Sequence, residues 1–232
     1  MTTFFITGTD TDVGKTYVAS AMLAAATRLG YRSLGLKPVA AGCEPSADGL
    51  RNADALSLMV ASSIKLSYDE VNPIALQAAC APHIAAAIES RQLNVQRLVG
   101  LLRGSLSHRP EFALVEGAGG WRVPLNSREF MSALPKQLNL PVILVINLRL
   151  GCLNAALLSA EAILKDGLIL AGWVANGAQQ TMAYEQENLS TLKHWLPAPC
   201  LAVFPFESDQ DAANVQQQAE QAVLALLKAT PA

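Results

Sequence analysis

Six mostly apolar runs punctuate the chain, at 3–7, 33–38, 112–116, 142–147, 168–175 and 200–204. Most are continuous rather than alternating, the pattern of strands covered on both faces in a parallel sheet. Helix-length segments fall between and after them, at 15–29, 52–61, 82–90, 94–106, 127–138, 153–165, 182–195 and 211–228. Strands alternating with helices predict an α/β fold with a doubly wound, mainly parallel sheet, whose ligand sites lie at the carboxyl ends of the strands. The last helix carries Val215, Ala219, Val223, Leu226 and Leu227 on one side and a glutamine-rich opposite side, so it reads as docked on the sheet rather than on a basic-face-seeking membrane.

Composition narrows the class. The chain has 232 residues, 51% hydrophobic and 16% charged, which suits one well-buried globular domain and not a disordered segment. A formal charge of -2 gives no electrostatic case for nucleic acid or an anionic membrane. The first residues lack a basic region followed by an apolar core, and the run near 138–150 is broken by Asn139, Asn147 and Arg149. Four scattered cysteines, with no C-x-x-C and only three histidines, argue against a disulfide framework and a zinc site. The expectation is a single-domain cytoplasmic protein.

The chemistry concentrates at 8–16, GTDTDVGKT, between the apolar run Phe4-Phe5-Ile6 and the first helical segment. Strand, short loop ending in Gly-Lys-Thr, and helix form the setting of a phosphate-binding loop. There, backbone N–H groups and the helix N-terminus hold phosphates, Lys15 neutralises the β/γ oxygens and the Thr16 hydroxyl reaches Mg²⁺. Thr9 stands where the first glycine of this loop is usual, and Gly8 lies one residue earlier. The fold expected is that of P-loop NTPases. Leu114-Val115-Glu116 ends a predicted strand like a metal-binding Walker B element with Glu for Asp. The following Gly117-Ala118-Gly119-Gly120 either exposes amides to an anion or simply turns the chain. Asp54 either caps its helix or binds metal. Lys37, at another strand end, either clamps a transferring phosphoryl group or lies on the surface. His83, after Pro82, fits a structural hydrogen bond as well as catalysis.

Together these pieces resemble the dethiobiotin synthetases, the ATP-dependent carboxylases of biotin synthesis. The resemblance runs through LKPVAAG (36–42), GLRNADAL (49–56), VNP (71–73), APH (81–83), VEGAGGW (115–121), LPVILVIN (140–147), LGCLN (150–154), LAGWVAN (170–176) and LPAP (196–199), besides the phosphate loop, and so spans nearly the whole chain. It implies that CO₂ adds to an amine of 7,8-diaminopelargonate, that ATP phosphorylates the carbamate, and that the second amine closes the ureido ring.

Position by position, the resemblance implies that Lys15 and Lys37 supply positive charge at the γ-phosphate and carbamate, with Thr11 at that junction. Thr16, Asp54 and Glu116 would ligate Mg²⁺, a hard oxygen set. Asp12, Val13, Gly14 and Tyr17 belong to the nucleotide loop, and Gly117, Ala118 and Gly119 lie beside it. Asn176 would read adenine, with Gly177, Pro205, Phe206 and Glu207 near the base. Lys37, Ala41 and Gly119 would meet the diamine. Gly151, Cys152, Leu153 and Asn154 would offer helix N-terminal amides to its carboxylate from a neighbouring subunit, implying a homodimer with composite sites; Cys152 itself is expected to pack, not to react.

Two departures stand out. Ala41 replaces a hydroxyl residue common in the family, and the base-side segment reads Phe204-Pro205-Phe206-Glu207 where another aromatic is usual. These leave open a relative of altered substrate choice. Nucleotide-switched partner ATPases on a similar sheet carry an extra lysine early in the loop, where this chain has Asp10. Relatives that amidate cobyrinate-type carboxylates need a glutaminase domain, for which 232 residues leave no room.

Overall fold

The computed structural model describes residues 2–177, 182–205 and 212–229. From the N-terminus, β1 (Thr2–Gly8), α1 (Lys15–Arg28) and β2 (Ser33–Leu36) follow one another. An excursion then contains β3 (Val39–Ala40), β4 (Glu44–Ser46), β5 (Gly49–Arg51), α2 (Ala53–Ala61), α3 (Tyr68–Val71), β6 (Ile74–Ala75), α4 (Pro82–Ile88) and α5 (Val95–Leu106). The remainder alternates: β7 (Phe112–Glu116), α6 (Ala133–Leu138), β8 (Val142–Asn147), α7 (Cys152–Lys165), β9 (Leu170–Asn176), α8 (Glu185–Trp195), β10 (Cys200–Phe204) and α9 (Ala212–Ala229).

Six strands form one sheet in the order β10-β9-β8-β1-β7-β2, every pairing parallel. Continuous apolar runs put alternate residues on opposite faces, and both faces are covered. Phe5, Leu34, Val115, Leu144 and Trp173 pack on one side with α3, α5, α6 and α7. Phe4, Ile6, Leu114, Val145 and Val174 pack on the other with α1 and α9. This is the doubly wound sheet that the alternation predicts. Burial of these side chains, at roughly 1.5–3 kcal/mol each, is the main force that fixes the strand ends.

Register places the chemistry. Ile6 pairs with Glu116 and Leu36 with Val115, so the residue after β2, Lys37, comes level with Glu116 at the carboxyl edge. The expected strand at 33–38 stops at Leu36 because the Lys37 N–H turns to the Val71 carbonyl (2.9 Å). The helix expected from residue 127 begins only at Ala133, since Asn126 Oδ1 accepts the N–H groups of Arg128 and Glu129 and holds a turn there. Tyr184, in left-handed conformation (φ 57°), delays α8 to Glu185. The short elements β3 to β6 and α3 went unread, being too brief to show a period. No helix among the described residues is long and apolar enough to cross a membrane.

Candidate active site

The loop from Gly8 to Lys15 is shaped by two glycines. A Cβ on Gly8 would lie 2.4 Å from Val13 Cγ2 and 3.0 Å from the Asp10 carbonyl, so the early glycine lets the loop fold back on itself. Gly14 begins α1 at φ 87°, a left-handed conformation open to glycine at no steric cost. The Lys15 ammonium reaches back to the Asp10 carbonyl (2.9 Å) across the loop. Burial, reinforced by the nearby Lys37 charge, lowers the Lys15 pKa to about 8. Asp10 itself pairs with Arg149 (2.9 Å), which joins this loop to the turn after β8.

A cavity of about 1080 Å³ opens over this edge. The loop and α1 contribute Thr11, Asp12, Gly14, Lys15, Thr16 and Tyr17 to its wall. Lys37 and Ala41 come from the segment after β2, and Asp54 from the first turn of α2. Glu116 ends β7 and Ala118 and Gly119 follow it, while Asn176 ends β9 with Gly177 after it, and Pro205 follows β10. The topology thus gathers most of the residues singled out from sequence.

Contacts narrow two ambiguities. Asn52, not Asp54, caps α2: its side-chain oxygen accepts the N–H groups of Asp54 (3.1 Å) and Ala55 (3.3 Å), which frees the Asp54 carboxylate for other use. Lys37 is buried rather than superficial, with Nζ 2.5 Å from Glu116 Oε1 and 3.0 Å from Asp54 Oδ2. Burial works against its charge, but the two carboxylates outweigh that and hold its pKa above the ordinary lysine value. Asp54 shows the converse: burial opposes ionisation, Lys37 favours it more, and its pKa drops below the usual range. Glu116 is fully buried, and Thr16 Oγ1 donates to its Oε1 (2.9 Å).

Glu116 Oε2 is buried without a hydrogen-bond partner among the described residues. With the Thr16 hydroxyl and the Asp54 carboxylate nearby, this orphaned acceptor gives a hard, all-oxygen donor set that suits Mg²⁺. No group of three or more His, Cys, Asp or Glu that could hold a metal occurs among the described residues. A cation here therefore needs the hydroxyl and further oxygens, such as those of a phosphate.

Other expectations fall outside the wall. Val13 is buried beneath the loop, and Gly117 underlies the wall with its N–H on the Ile6 carbonyl (3.0 Å). Gly151, Cys152, Leu153 and Asn154 do not line the cavity of their own chain. The Cys152 N–H, expected free, is held by the Arg149 carbonyl (2.9 Å); Leu153 and Asn154 have no carbonyl of their own helix to reach. Cys152 is buried, as a packing role requires. His83 Nδ1 is buried and unpartnered, contrary to a structural bond at that atom. Phe206 and Glu207 lie outside the described residues. Asn176 Nδ2 donates to the Val13 carbonyl (2.9 Å), so the amide's nitrogen secures the loop beside the cavity.

Ala40, Asn52, Ala79, Cys80, Ala81, Pro82 and Val123 complete the wall and were not singled out as site residues. Their signal was faint: Asn52 and Ala81 sat inside matched segments, and small apolar residues carry no chemistry of their own.

The profile described as an AAA domain matches residues 2–214. The chain is 53% identical to the ATP-dependent dethiobiotin synthetase BioD of Marinobacter nauticus over 92% of each chain. It is 56% identical to the protein of the same name from Cellvibrio japonicus, over 87% of this chain and 88% of that one. The septum site-determining protein MinD of Pyrococcus horikoshii superposes with TM-score 0.57 over 97% of this chain and 95% of its own, at 16% identity, a likeness of fold alone.

Proposed function

The chain belongs to the ATP-dependent dethiobiotin synthetase family, and from that membership and the cavity's geometry we propose that it closes the ureido ring of dethiobiotin from 7,8-diaminopelargonate, CO₂ and ATP. The observation that carries the reading is the meeting of Lys37, Glu116, Asp54 and Thr16 in the cavity that the phosphate loop borders.

The reaction is a problem of accumulating negative charge. An amine of the substrate adds to CO₂, losing a proton, and gives a carbamate. A carbamate oxygen then attacks the γ-phosphorus, the bond to the β-phosphate oxygen breaks and ADP leaves. The second amine attacks the carbonyl carbon of the mixed anhydride, phosphate departs and a second proton is lost. Holding a weak, anionic nucleophile in line with a triphosphate requires fixed positive charge in a dry site.

Lys15, at the head of α1, supplies charge to the β/γ oxygens, aided by the helix N-terminus. Lys37, rigidly mounted at the neighbouring strand end, supplies it where the carbamate meets the γ-phosphate, with Thr11 beside that junction. Thr16, Asp54 and Glu116 would hold Mg²⁺, which when bound neutralises phosphate charge. The Asn176 oxygen suits an exocyclic amine of adenine, with Tyr17, Gly177 and Pro205 around the base. The walls formed by Ala40, Ala41, Ala81, Pro82 and Val123 suit the aliphatic chain of the diamine.

The carboxylate tail is met from a second copy: the amides of Leu153 and Asn154 start α7 away from their own cavity, and Leu150 before them is almost fully exposed. We read this as a homodimer with composite sites, working in the cytoplasm. Purified protein incubated with diaminopelargonate, bicarbonate, ATP and Mg²⁺ is expected to yield dethiobiotin by mass spectrometry. Product no higher than that of Lys37→Ala removes the assignment.

A further inference from the structure

Both carboxylates assigned above to a divalent cation already hold the ammonium of Lys37, each through one oxygen. Nζ lies 2.5 Å from Glu116 Oε1 and 3.0 Å from Asp54 Oδ2, with the Gly117 carbonyl at 3.5 Å. Thr16 Oγ1 converges on the same Glu116 oxygen. A carboxylate as buried as that of Glu116 is expensive to keep ionised unless a cation stands against it, and among the described residues the Lys37 ammonium is the one in ion-pair contact with it.

Resting on that metal reading, we propose that Lys37 is an internal counter-ion: in the nucleotide-free protein it takes the cation's place among Thr16, Asp54 and Glu116, and the arriving metal–nucleotide drives it onto the terminal phosphate and carbamate. Mg²⁺ binds oxygen at about 2.0–2.1 Å, so on either oxygen of the Glu116 carboxylate it would stand close to an ammonium held on Oε1, with strong repulsion between the neighbouring positive charges. The four-carbon stem lets Nζ pivot while the backbone stays fixed at both its N–H, on Val71, and its carbonyl, on Asn72 (2.6 Å). The phosphates offer the displaced ammonium a new anion. Metal alone offers none, so the bare cation competes poorly and enters together with nucleotide. One lysine thus keeps the site assembled when empty and delivers charge to the reacting atoms when full.

The test is Mn²⁺ binding, read from the free-ion electron paramagnetic resonance signal. Without nucleotide, Lys37→Gln should bind Mn²⁺ about tenfold or more tightly than the unmutated protein, while Lys37→Arg, which keeps the charge, stays weak. With a non-hydrolysable ATP analogue, unmutated protein and Lys37→Gln should differ by no more than about threefold. A Lys37→Gln variant that is folded by thermal melting yet binds the bare ion no better overturns the proposal while leaving the metal reading intact. No Mn²⁺ binding by the unmutated protein even with the analogue overturns both.

Should the glutamine variant not fold, the unmutated protein carries the test through its lysine-selective ¹H–¹⁵N spectrum. The buried Lys37 ammonium should give a slowly exchanging signal, identified by its loss in Lys37→Arg, that shifts when Mg²⁺ and the analogue are added together but not with Mg²⁺ alone. An equal shift with Mg²⁺ alone, or none with both, refutes the proposal.

Discussion

The Asn72 side-chain amide donates to the Lys37 carbonyl at 2.6 Å, fixing the backbone from which the buried lysine projects. The bond belongs to a relay. Tyr68 Oη donates to Asn72 Oδ1 (2.9 Å) and accepts the N–H of Asn52 (2.7 Å), the residue that caps α2 and presents Asp54. Lys37 and one of its two carboxylate partners, Asp54, are therefore set by one buried chain of hydrogen bonds. Asn72→Ala leaves the Lys37 carbonyl and the Tyr68 hydroxyl short of partners and should cost about 1–3 kcal/mol of stability. The misplaced lysine should lower kcat about 10–100-fold, with a smaller change in KM for ATP. Urea unfolding and steady-state kinetics measure both; a stable variant with unaltered kcat would show that the relay does not position the site.

Thr16→Val keeps the shape of the side chain and deletes its oxygen. Turnover should fall about 100-fold and the Mg²⁺ concentration for half-maximal rate should rise. Thr16→Ser should recover most of the activity. A valine variant with an unshifted Mg²⁺ requirement would remove Thr16 from the metal set.

Most of the architecture was legible because long, doubly covered strands announce themselves as continuous apolar runs. The site was legible where a residue has chemistry and sits at a strand end, as Lys37 and Glu116 do, or at the head of the helix after the phosphate loop, as Lys15 does. Within the excursion between Val39 and Ile88, α2 and α4 were legible but β3 to β6 and α3 were not, since these two- to four-residue elements hold their shape through partners distant in sequence. Tyr68, sixteen residues from Asn52, is one such partner, and no local pattern in the chain links the two. Ala79, Ala81 and Val123 shape the cavity by being small or apolar, a role without a sequence signature.

Asp166 anchors the loop after β7 from outside the site. Its carboxylate accepts Trp121 Nε1–H (2.9 Å) and two Arg122 N–H bonds (2.6 and 3.0 Å). Burial opposes its ionisation, but the bonds from Arg122 and Trp121 prevail and lower its pKa below 3.8. The folded state therefore favours the ionised form. Its contribution is complete above the unfolded value and disappears as pH falls through the lower, folded value. Asp166→Asn should cost about 1–2 kcal/mol at pH 7 by urea unfolding. That difference should persist at pH 5 and shrink below about pH 4. A gap independent of pH would mean that the charge on Asp166 is not what stabilises.

Gly8→Ala tests the early glycine of the loop. The added methyl meets Val13, a β-branched side chain with little freedom, and the Asp10 carbonyl, so the loop itself has to move. Nucleotide affinity should fall about tenfold or more in calorimetry, with the sheet intact by circular dichroism. Unchanged affinity would show that the loop's curvature does not depend on a bare Cα at this position.

Composite sites make a prediction about mixtures. Lys37→Ala and Leu153→Pro should each be nearly inactive, because one lacks the buried charge and the other lacks an α7 amide assigned to the substrate's tail. In a mixed dimer, one site takes Lys37 and the α7 amides from the unaltered parts of the two chains, while the other site carries both defects. Refolding the variants together should therefore restore activity toward about a quarter of the unmutated level, since half of the dimers are mixed and each has one sound site. If each site were built from a single chain, the mixed dimer would hold one site with each defect and no activity would return.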